Sequence, residues 1–353
     1  MYLCYPARDC MHHGGRLLAF AGILGVGLFL AIFFMLPRPD QIQISYFPKV
    51  HLPEASTRLI PLVLGDDSVT MTFVGDIMLA RSVERAIVEH GTSWPFVNLG
   101  NLFEGSDLVI GNLEGTVRDV RNLEVVNQMV FDTTPDNVQM LAATGFTHLS
   151  LANNHTDDYG AQVTLDTRQV VIDNGMTPFG DPNKSQNFIV RENINGRSLS
   201  IIGFHAFGEE LSEILEAIEA EDAQGRFVIV YPHWGPEYVV TAPDSETELA
   251  MAFINAGADL IVGSHPHVIQ NIEVIDGVPV IYSLGNFLFD QDFSANTMRG
   301  LTVQVEITNK TIELDFTPVS IINGQTSLMS DVEALGVCNE FSLPNCYLSV
   351  ARE

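Results

Sequence analysis

The chain has 353 residues, 46% of them hydrophobic, enough for one large domain or two modest ones. With 17 basic against 44 acidic residues its formal charge is −27. That balance argues against nucleic-acid binding, which requires a basic face, and reads first as a solubilising surface, second as an attractor of divalent cations.

In chain order, residues 1–16 form a short tail with Arg8, His12, His13 and Arg16. Leu17 to Leu36 (LLAFAGILGVGLFLAIFFML) is an uncharged apolar run. As a helix it spans roughly 30 Å, the thickness of a bilayer core. A cleaved signal peptide is the competing reading, but its apolar region is usually about 7–15 residues and ends in a small-x-small site, which Met35-Leu36-Pro37 does not match. The expectation is an uncleaved single-pass anchor with the tail inside and the C-terminal domain extracytoplasmic. Residues 37–67, with five prolines and no sustained period, read as a stalk.

VTMTFVGD, from Val69, predicts a buried strand that stops at Gly75-Asp76. Strand and helix then alternate: helix Met78–Glu89, strand Leu108–Ile110, helix Asp136–Thr144, strand Phe146–Leu151 and helix Ala161–Asn174. A hairpin is expected over 188–204 and a short helix over 210–220, then strand Phe227–Tyr231, helix Asp244–Ala256 and strand Asp259–Val262. Two hairpins finish the pattern, one turning at Asp276-Gly277, a type I′ signal, and one over 301–318 turning at Asn309-Lys310. The order predicts an α/β core with mixed sheets, spanning 68–325, and a C-terminal extension over 326–353. Cys4 and Cys10 fall on the tail. Cys338 and Cys346, in CNEFSLPNC, can close a short disulfide loop in an oxidising compartment. With no CxxC or Cys/His ribbon spacing, cysteine-based metal chemistry is set aside.

Five apolar runs end in polar signatures: FVGD at Asp76, LVIGNLEG with Asn112 and Glu114, LSLANNH with Asn153, Asn154 and His155, VIVYPHWGPE with His233 and Glu237, and LIVGSHPH with His265 and His267. Each has a plain structural reading: a turn at Gly-Asp, a helix cap at Asn153-Asn154, a half-buried corner at His233-Trp234. His265-x-His267 is the most specific, because alternate positions of an extended segment cannot both point into a core. Strand C-termini of a layered α/β fold converge on one edge. There the five would assemble carboxylates, an amide and four imidazoles, a donor mixture suited to Mn, Fe or Zn.

In order, GDIML, GNLEG, NNHTDDYG, HWGPEY, GSHPH and YSLGNF resemble the CapA family of bacterial capsule (poly-γ-glutamate) synthesis proteins, itself similar to calcineurin-like metallophosphoesterases; the resemblance covers about 69–320. It implies a metallophosphatase-like layered α-β-β-α sandwich with mixed sheets, preceded by one N-terminal transmembrane helix. It implies one or two divalent ions held by Asp76, Glu114, Asn154, His233, His265 and His267, with His155 acting on the scissile phosphate. Asn112, Asp157, Glu237 and Asn286 would orient those ligands. Partners implied are the membrane, polymer synthase or export subunits, and an anionic polymer or phosphoester. Two departures stand out. Met78 occupies the place of a ligating histidine, and Asn112 that of an aspartate. They leave open a mononuclear site, and a non-catalytic scaffold role beside a hydrolase.

Overall fold

The computed structural model describes residues 68–119, 130–180, 188–208 and 210–352. The expected tail, anchor and stalk lie outside the described residues. Among the described residues no helix is long and apolar enough to cross a membrane.

β1 (Val69–Ile77) leads to α1 (Arg81–His90), and β2 (Leu108–Leu113) through the two-residue strands β3 (Thr116–Val117) and β4 (Asp132–Thr133) to α2 (Pro135–Thr144). β5 (His148–Ser150), α3 (Ala161–Asp173) and β6 (Thr177–Phe179) follow, then the hairpin of β7 (Ile189–Ile194) and β8 (Arg197–His205). Next come α4 (Leu211–Asp222), β9 (Phe227–His233), α5 (Asp244–Ala256) and β10 (Leu260–Val262). β11 (Ile272–Ile275) and β12 (Val278–Ile281) pair antiparallel, with Asp276 and Gly277 both at positive φ, as the Asp-Gly turn predicts. β13 (Asn286–Leu288) precedes the long hairpin of β14 (Arg299–Ile307) and β15 (Thr311–Ile322), and β16 (Gln325–Leu328), α6 (Asp331–Glu340) and β17 (Tyr347–Ala351) complete the chain.

The first large sheet has the order β16-β15-β14-β1-β2-β5-β6, with β13 also on β1 and β17 on β15; the second runs β11-β12-β10-β9-β8-β7. Strict alternation along the strands builds the layers. In β9, Phe227, Ile229 and Tyr231 enter a core shared by the two sheets, while Val228 and Val230 face α4 and α5. In the first sheet, Met71 and Phe73 join the shared core, and Val74 and Val109 pack with Val83, Leu141 and Val171 of α1, α2 and α3. The result is helices, sheet, sheet, helices. Each fully buried large apolar side chain contributes on the order of 1.5–3 kcal/mol. The Tyr231 hydroxyl crosses between the sheets to donate to the Val74 carbonyl at 2.6 Å.

The fold differs from the expected elements in two instructive places. α1 starts at Arg81 rather than Met78, because Met78 is buried and its sulfur accepts the Ala80 N–H at 3.0 Å. Residues beyond 325 join the same first sheet: β17 pairs with β15, and Val337 and Cys338 of α6 enter the shared core, where Cys338 is disulfide-bonded to Cys346.

One close approach places the site. A side chain at Gly75 would put its Cβ 1.8 Å from the Gly285 carbonyl. With none there, the Asp76 N–H reaches that carbonyl at 3.1 Å, and Asn286 comes into register beside Asp76.

Candidate metal centre

β1, β2 and β5 are parallel neighbours, as are β8, β9 and β10. Their C-terminal ends therefore open on a common edge, and both sheets supply residues to one cluster.

Asp76, fully buried at the end of β1, accepts the Asn112 Nδ2–H at 2.8 Å and the His265 backbone N–H at 3.2 Å, and lies 3.2 Å from His267 Nδ1. Asn112 uses its oxygen to accept from Asn153 Nδ2 at 2.9 Å, which fixes the direction of its amide. Asn153 also accepts the His155 N–H at 3.0 Å, closing a turn rather than capping α3, whose N-cap is Gly160, and Asn154 faces the site. Asn154 Oδ1 is 2.8 Å from His233 Nε2, and His265 Nδ1 is 3.0 Å from the same nitrogen.

Glu114 is buried, and its Oε1 has no hydrogen-bond partner. The imidazoles of His267 and His155 stand 3.6 and 3.8 Å from that oxygen, beyond hydrogen-bond reach. Burial raises its pKa well above the carboxylate range, aided by Asp76 and Glu237 and opposed by His267. Burial lowers His267 too, but Glu114 and Asp76 outweigh it and hold that imidazole at about 9. Burial and the like charge of neighbouring imidazoles push His233 well below its usual value and His265 to about 4.

Asn286 is placed as expected. Its Nδ2 donates to the Thr297 carbonyl (2.9 Å) and Gln291 (3.1 Å), so its Oδ1 faces His267 Nδ1 at 3.0 Å as an acceptor. His267 therefore presents Nε2 to the site. Asp157 accepts from Thr164 and acts on His205; the carboxylate that holds His155 Nδ1, at 2.9 Å, is its neighbour Asp158. Glu237 is exposed at the mouth, beside His265 and His267.

Three participants carry no prediction from the sequence. His205 ends β8 in register with His233, their rings 6.1 Å apart; burial takes it to about 4. Its signal was available, since SIIGFH is a sixth apolar run ending in a ligand-type residue. Asp158 is the second. Arg81 is the third: its guanidinium pairs with Asp290 and lies 4.6 Å over Phe131, the ring stacked on His155, and 5.7 Å over Phe289, which packs on His267.

Two groups of donor atoms fit a metal ion, each with all atoms within 4.8 Å: Asp76, Glu114 and His267, and Glu237, His265 and His267. An orphaned buried carboxylate oxygen beside a cluster of imidazoles is what a divalent cation would satisfy. The sulfur of Met78 plays no part, since it faces the core.

The sequence model of the family described as bacterial capsule synthesis protein PGA_cap matches residues 70–291. The capsule biosynthesis protein CapA of Bacillus anthracis is 34% identical over 284 residues, covering 73% of this chain and 69% of that protein. The PGA biosynthesis protein CapA of Bacillus subtilis is 33% identical over 276 residues, 72% of each. A probable polyglutamine synthesis accessory protein of Mycobacterium tuberculosis is 21% identical over 289 residues, 64% of this chain and 76% of the other. The matched span holds every metal-directed residue from Asp76 to His267 and the Asn286 that orients the last of them, so this chain belongs to the bacterial capsule synthesis PGA_cap family.

Proposed function

We propose that this chain serves capsule or poly-γ-glutamate biosynthesis outside the membrane, as a metal-dependent hydrolase with a phosphoesterase-like site. The observation that carries the reading is the grouping of Asp76 and His267 with a Glu114 whose oxygen is unpartnered, beside the linked trio Asn154, His233 and His265. The names of the two CapA relatives support the biosynthetic setting. The four-layer order of helices and sheets agrees with a metallophosphatase-like sandwich. The apolar run Leu17 to Leu36 and the Cys338–Cys346 disulfide support an anchored chain in an oxidising compartment.

Those six residues would hold one or two ions of Mn, Fe or Zn, which supply Lewis acidity and a water of lowered pKa. The chain's own contribution centres on His155. Asp158 accepts from its Nδ1, the Phe131 ring is stacked 3.8 Å from it, and Nε2 is left to give or take a proton at a leaving-group oxygen. Arg81, paired with Asp290 and lying over the Phe131 ring that stacks on His155, would set a cation near an anionic substrate held there.

His155→Ala tests this. With metal content unchanged, it is expected to lower turnover of phosphodiesters or γ-glutamyl polymer by about 10²–10⁴-fold. A second reading, a non-catalytic scaffold of a polymer synthesis or export complex, is favoured by Met78, whose sulfur faces the core where the related phosphoesterases place a ligand. Metal-loaded protein without turnover on any such substrate, together with intact polymer production in cells carrying His155→Ala, selects the scaffold.

A further inference from the structure

We infer that Glu237, His265 and His267 form a solvent-facing three-ligand metal position, with Glu237 a direct ligand that replaces the donor missing at Met78. The inference rests on the metal reading above and deepens it.

The geometry starts from two loops docked together. The Trp234 N–H donates to the Ser264 carbonyl at 3.2 Å and the Tyr238 N–H to the Pro266 carbonyl at 2.8 Å. These bonds bracket Glu237 and set it against the two histidines, within the 4.8 Å that brings all three donor atoms around one point. Both histidines occupy the left-handed backbone region, His265 at φ 98° and His267 at φ 57°, and Tyr238 joins them at 64°. Non-glycine residues there cost of order 1–3 kcal/mol each and persist where the surroundings hold them. Here Asp76 accepts the His265 N–H and Asn286 holds His267 Nδ1, so the strain is spent on turning two imidazoles toward one mouth.

The donor chemistry agrees. Two imidazoles and a carboxylate make the three-ligand set that keeps a coordination place open for water or substrate, suiting Zn, Fe or Mn. Glu237 is exposed, so the open side faces solvent. Asp76 lies on the Nδ1 side of the same His267 imidazole, at 3.2 Å, whereas Glu114 stands 3.6 Å from Nε2 and borders this position. Met78, turned into the core, offers nothing to either side.

The test is a titration of the purified full-length chain with Co²⁺, read by visible absorption, beside elemental analysis after Zn²⁺ loading. Wild type, Glu237→Gln and Asp76→Asn are compared. Loss of an orienting partner typically weakens metal binding about 10–100-fold. For Glu237→Gln the expected result is a loss greater than about 100-fold with an altered Co²⁺ band, and an unchanged melt in chelator because the side chain is exposed. An unchanged band, whether affinity falls within the 10–100-fold range or not at all, overturns direct ligation and leaves the metal reading standing. A wild-type chain that binds neither ion overturns both.

Discussion

Replacing Glu246 by glutamine is expected to stabilise the protein above pH 7 and to cost about 1 kcal/mol near pH 4, where the carboxyl is neutral. Glu246 lies on α5 with 1% of its surface exposed, and its carboxylate presses on Gly235, between His233 and Glu237. A Cβ at Gly235 would come within 2.0 Å of Oε1. Neither oxygen meets hydrogen-bond geometry with a partner, and the nearby Gln270 amide offsets only part of the cost of burial, which raises the carboxyl from 4.5 to about 7. The native state thus holds this proton more tightly than the unfolded chain. The associated stability is fully present below pH 4.5 and is lost as pH rises through 7. At roughly 1.4 kcal/mol per tenfold change in proton affinity, the loss at pH 8 is at most about 3 kcal/mol. Glutamine never ionises. Allowing about 1 kcal/mol for its own unpaired amide, the net gain is roughly 1–2 kcal/mol, or about 2–8 °C in Tm. Melts from pH 4 to 9 in chelator measure it, and the difference between the two proteins isolates this group from every other titration. Parallel Tm profiles would refute the reasoning.

Tyr231→Phe leaves the Val74 carbonyl unpaired between the sheets and should cost about 1–3 kcal/mol, read as a lower urea midpoint at unchanged slope. Cys338→Ser with Cys346→Ser opens a loop of sequence separation 8 and should cost about 2.5 kcal/mol, with reductant lowering the wild-type Tm and leaving the variant's alone. Asp158→Asn removes the carboxylate that orients His155 and should lower kcat about tenfold or more with KM unchanged, while the variant takes up metal as the wild type does.

Much of this arrangement is legible in the amino-acid sequence, because strand ends announce themselves. Asp76, Asn112, Glu114, Asn154, His233, His265 and His267 each follow a continuous apolar run, and such runs fix where parallel strands stop. The Asp276-Gly277 turn is legible for a local reason, as two residues that tolerate positive φ. Side-chain direction is not legible in the same way. Asp157 and Asp158 are neighbours on a turn, and only the path from Asn153 to α3 decides which of them meets His155. The start of α1 depends on whether Met78 faces the core, which no periodicity reports. β6 and β13 are three residues long and owe their existence to the strands they lie against, Phe179 beside Ser150 and Asn286 beside Asp76. α6 carries little amphipathic contrast and is held by its disulfide and by Val337 in the shared core.

The division of the cluster between two sheets has a consequence for assembly. Asp76 and the His265 amide that it binds are 189 residues apart, and Asn154 and His233 are 79 apart. Contacts of such separation carry a loop-closure cost that slows their formation, and these require both sheets to have docked. A complete donor set therefore appears only near the end of folding, and an ion can be captured only where that end is reached. For a chain threaded unfolded across a membrane, that place is the far side. Its metal would then follow the supply of the exterior, whatever ion the cytoplasm holds in excess.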